Sequence, residues 1–187
     1  YEPEFDQMLF YLPLTGSTFK KVYYDELLGR AVSKFIQAED LIVPYTASSL
    51  EDADAIVHVI KISENDLRKQ QVGGFYRDIE LGDPPINENQ VKAKQLELEG
   101  VTANDQQRES MYTLLEVHTD LDLEDYPDVN ENEEPTGIKL PYIITIDETS
   151  QQVLSIRRNY EPEDPLKKKK NYFVQFKFLP GTGFYGF

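Results

Sequence analysis

The chain has 187 residues, enough for one large domain or two small ones and for a real hydrophobic core. Its 40% hydrophobic content, with 12 Tyr and 10 Phe, argues against a disordered chain. The 34 Asp+Glu against 19 Lys+Arg leave a net charge of -15, a field that repels nucleic acid and argues against a free-standing DNA-binding domain, though not against a surface past which DNA slides. There is no cysteine, which removes disulfides, thiolate zinc sites and cysteine nucleophiles together and fits a reducing interior such as bacterial cytoplasm. No apolar run approaches the roughly 20 residues needed to cross a bilayer, and no signal peptide is visible. The start at Tyr1 and the stop at Phe187 after Gly186 read as cuts, so a piece of a longer protein is expected.

Glu4 to Leu12 predicts a short helix, with Phe5, Met8, Leu9 and Leu12 at helical spacing and Pro13 and Gly16 as stops. Ser17 to Tyr24 and Ala31 to Ile36 predict strands of a hairpin around the turn Leu27 to Arg30. Leu41 to Tyr45 is a short apolar run before a loop at Thr46 to Asp54. Ala55 to Ile62 is apolar on both faces and predicts a central strand. Ser63 stands three residues before Asp66 and predicts a helix start, with the helix running to about Gln71 ahead of Gly73-Gly74. The polar stretch Asp78 to Asn89, with Pro84-Pro85, is the best internal boundary. It makes 1–83 a strand-rich half with a short helix, and 84–187 a helix followed by a strand-rich half. That helix is predicted over Glu88 to Leu98, with Val91, Gln95 and Leu98 along one stripe and Gly100 closing it. Ser110 to Leu121 predicts a strand. Asp120 to Glu134, with eight acidic residues and no basic one, predicts a loop. Three further strands are predicted at Lys139 to Asp147, Val153 to Tyr160 and Asn171 to Leu179. The fold class is therefore α+β, mostly antiparallel strands with two or three short helices.

No catalytic constellation stands out. Gly181-Thr182-Gly183-Phe184-Tyr185-Gly186 matches the dinucleotide pattern, but Pro180 precedes it and the alternating βα units of such a fold are missing. It reads as a glycine-rich turn, and no cofactor is expected. Asp128, Asn130 and Asn132 copy the first ligands of a calcium loop. Glu133 replaces its glycine and Lys139 its final glutamate, so a solvated charged loop is expected and no metal. His58 and His118 each sit inside a predicted strand and read as packing residues; no carboxylate spacing near them supports a metal pair. The serines lack a nucleophile elbow. The one basic cluster is Lys167, Lys168, Lys169 and Lys170, preceded by Arg157 and Arg158. It is the candidate contact with DNA or a partner, set against the plainer reading of a soluble hairpin whose lysines protect an edge.

Three stretches resemble the portal proteins of tailed phages, especially the large portals of short-tailed phages. The first is Phe10 to Asp25, containing Leu12-Pro13-Leu14-Thr15-Gly16-Ser17. The second is Ala38 to Tyr45, followed by Leu50-Glu51-Asp52-Ala53, Ile56-Val57-His58 and Ile62 to Leu67. The third is Phe178-Leu179-Pro180-Gly181-Thr182-Gly183-Phe184-Tyr185-Gly186-Phe187. They fall at the start, middle and end of the chain, while Gly82 to Glu109 carries no such motif. The resemblance implies a structural subunit and not an enzyme. It implies a ring, usually of twelve subunits, at one capsid vertex. That ring forms the channel for DNA packaging and ejection. Its partners are other portal subunits, the packaging terminase, capsid and tail adaptor proteins, and double-stranded DNA that passes without tight binding; no membrane is involved. The location implied is the virion, and the host cytoplasm during assembly. The region resembled is the outer wing, reaching toward the motor-facing clip. The ATPase of such a machine belongs to the motor, and this sequence has no P-loop. The other readings are a different virion or tail component, or a host-encoded binding module of α+β type, with an enzyme third.

Overall fold

The computed structural model describes residues 2–25, 29–82, 111–129, 132–179 and 184. Helix α1 spans Glu2–Thr15, strand β1 Ser17–Asp25 and strand β2 Arg30–Ile36. A 3-10 turn at Ala38–Asp40 leads into strand β3, Leu41–Ile42. Strand β4 (Ala55–Ser63) precedes helix α2 (Glu64–Val72), and strands β5 (Met111–Leu121), β6 (Leu140–Asp147), β7 (Val153–Arg158) and β8 (Phe173–Lys177) follow. The fold is α+β with antiparallel sheets, as the sequence predicts. Helix 88–98, and the glycines of the turn at 181–186, lie outside the described residues.

The first helix runs past the first of its two expected stops and ends at the second. Pro13 lies inside α1, in the last turn, where it removes a single intrahelical donor and leaves the turn closed. The stop comes at Gly16, whose φ of 75° is the left-handed value glycine adopts without a Cβ penalty, and whose N–H donates to Leu12 O at 3.0 Å. Ser17 follows at once as the start of β1, so one glycine turns helix into strand.

One three-stranded sheet has the order β2-β1-β8, and a five-stranded sheet the order β3-β4-β5-β6-β7. In the first, Phe19 pairs with Ile36 on one side and Gln175 on the other, and Lys21 with Lys34 and Phe173. Alternation along the strands then puts Phe19, Lys21, Ile36 and Phe173 on one face. By its contacts the chain forms two units. The first is Tyr1–Val59, Glu116–Ile144 and Ile156–Phe187; the second is Ile60–Leu115 and Thr145–Ser155. Neither is a consecutive half of the chain.

In the first unit, Phe19, Ile36 and Phe173 pack against Leu41, Ala47, Leu50, Ala53 and Ile56. The loop before β4 contributes because Asp52 holds it: its carboxylate accepts from Ser49 N at 2.7 Å and Ser49 Oγ at 2.8 Å, which folds Ala47, Leu50 and Ala53 inward. A second cluster of Leu140, Tyr142 and Tyr160 is covered by Leu121 and Leu123. The second unit has its own core of Ile62, Leu67, Tyr76, Tyr112, Leu114 and Leu154. Ser63 caps α2, its hydroxyl accepting from Asp66 N at 3.2 Å, so the helix starts where the sequence predicts. After Gly73 and Gly74 the chain is held by Gln71, whose buried amide donates to Arg77 O at 3.2 Å and Ile79 O at 2.9 Å.

Candidate functional site

The first unit holds a cluster of four polar side chains that no single stretch of sequence contains. On β5, Glu116 and His118 are two residues apart and share a face. His58 stands on β4, the neighbouring strand of the same sheet. Lys21 comes from β1 of the three-stranded sheet, beside Phe173 of β8. The Lys21 ammonium donates to both Glu116 oxygens, at 2.5 and 2.7 Å. His118 Nε2 lies 2.8 Å from Glu116 Oε1. An ionised carboxylate only accepts, so this nitrogen carries the hydrogen. His58 Nδ1 is 3.7 Å from the same oxygen, too far for a hydrogen bond, and it is buried without a partner.

Aromatic rings close the cluster. Phe173 meets the His118 ring edge-on at 5.0 Å and the His58 ring at 5.8 Å; Tyr172 lies 5.8 Å from His118. The Lys21 ammonium is also 5.8 Å from the centre of the Phe173 ring. Burial by itself pushes the Glu116 carboxyl up. The hydrogen bond from His118, the neighbouring His58 and the Lys21 charge outweigh it and hold the group well below the usual carboxylate range.

Two histidines and a carboxylate are common metal ligands. Here the ammonium already engages both carboxylate oxygens, so the place of a cation is taken. Among the described residues no group of three or more His, Cys, Asp or Glu side chains is arranged to hold a metal ion. The cavity beside His118, lined also by Asn159, Lys169 and Tyr172, measures about 20 Å³. That is room for about one water, against roughly 300–1,000 Å³ for a small-molecule site.

The sequence reading takes His58 and His118 as packing residues; the structure adds that Glu116 is bonded to one and faces the other. The signal was the spacing Glu116-x-His118 on a strand, where period two puts both side chains on one face. Lys21, 95 residues from Glu116, left no local signal.

The four lysines of the candidate contact cluster occupy one loop of the first unit. Asp164 shapes that loop, its carboxylate accepting from Leu166 N at 3.0 Å and Lys168 N at 3.1 Å; these bonds hold its carboxyl below the ordinary value. Lys167, at a left-handed φ of 46°, pairs with Asp128. Lys169 donates to Ala53 O at 3.0 Å, and Lys170 pairs with Glu161 at 2.5 Å. Three of the ammonium groups therefore have acceptors within the unit. Asp128 itself is buried, and it also accepts from Thr136 Oγ1 at 2.6 Å. Its first-ligand place in the calcium-like pattern is thus filled by a lysine and a hydroxyl.

The chain matches no protein-family model and no curated protein.

Proposed function

We propose that this chain is a structural subunit of a phage portal ring, the channel for DNA packaging and ejection that docks the packaging terminase and the tail. The proposal includes the absence of catalytic activity. The resemblance of the stretches 10–25, 38–67 and 178–187 supplies the family. The observation that carries the structural role is how the polar groups are used. A largely buried charged cluster links strands to one another through Lys21, Glu116 and His118, and the cavity beside it has room for about one water. Such an arrangement serves rigidity, not turnover.

A second observation favours assembly. Phe5, Leu9, Phe10 and Leu14 of α1 are about half or more exposed. A helix apolar over most of its circumference belongs in a larger packed structure. On this reading duplex DNA passes without tight binding, since the net charge is -15 and three of the clustered lysines are already paired.

The test is electron microscopy of the full-length protein that contains this chain. Closed rings with a central channel are the expected result. Full-length protein that stays monomeric at micromolar concentration, or that turns over a substrate with loss on Glu116→Gln, overturns the reading.

A further inference from the structure

We draw no further inference here: the strongest candidate, the apolar flanks of helix α1 carrying Phe5, Leu9, Phe10 and Leu14, is an unpartnered face and nothing in the structure shows what covers it.

Discussion

The Lys21–Glu116 cluster and the lysine loop at 167–170 use the same chemistry, ammonium against carboxylate, in opposite settings. Lys21 and Glu116 are each 15% exposed and are boxed in by histidine and phenylalanine rings. Lys170 and Glu161 are 41% and 66% exposed. Lys167 and Asp128 lie between, one side chain part-exposed and the other buried. Solvent decides what each pair is worth. Water screens the outer pair and hydrates either partner alone. The inner pair has little water to fall back on, so removing one partner strands a charge. The lesson is that the conspicuous run of four lysines matters less to the fold than a single lysine at position 21.

Five expectations sharpen or break that comparison. Lys21→Ala should cost the most, about 3–5 kcal/mol by denaturant unfolding, because it removes the ammonium that engages both oxygens of the buried Glu116 carboxylate and leaves only the bond from His118. A loss below about 1 kcal/mol would put this pair with the surface ones. Lys21→Met combined with Glu116→Leu should recover much of the loss, since replacing both partners by apolar groups removes the stranded charge.

The second expectation concerns pH. The folded Glu116 carboxyl is depressed below its ordinary value of 4.5. A depressed carboxyl stabilises the fold above its unfolded value, and that contribution fades as pH falls below it toward the folded value. The wild-type chain should therefore lose stability between about pH 5 and pH 2 more steeply than Glu116→Gln, which has no such proton to take up. Parallel curves for the two proteins would remove Glu116 from the account of acid sensitivity.

Lys167→Ala should cost an intermediate amount, about 1–3 kcal/mol, because Asp128 is buried but keeps its bond from Thr136. Thermal unfolding of the variant against Lys168→Ala, which removes no comparable pair, measures the difference. Lys170→Ala should cost about 0–1 kcal/mol, and less at high salt. The smallest effect is on DNA. The chain should bind duplex DNA with a dissociation constant near or weaker than about 10⁻⁴ M at physiological salt, and Lys168→Ala with Lys170→Ala should leave a gel-shift unchanged. Submicromolar binding lost in that double variant would make the lysine loop a nucleic-acid contact.

Local chemistry made most elements readable. The hairpin of β1 and β2, the capped start of α2 at Ser63 and the final strands follow from alternation and turn residues that act within a few positions. Pro13 misled because a proline in the last helical turn removes only one bond, whereas Gly16 supplies the backbone angle that ends the helix. The consecutive halves 1–83 and 84–187 rest on local polarity, while the units are defined by which distant segments pack together. The candidate site shows the same divide. Glu116 and His118 were readable as a pair on one strand face, and His58 as a strand residue. That His58 lies beside them depends on β4 and β5 being neighbours, and that Lys21 neutralises Glu116 depends on β1 bringing its inner face to them. By itself the sequence determined the local elements, the α+β class and the acidic balance, because each follows from nearby residues or from composition. Only the tertiary structure decided which charges are buried and paired, because burial depends on contacts between residues as far apart as Lys21 and Glu116.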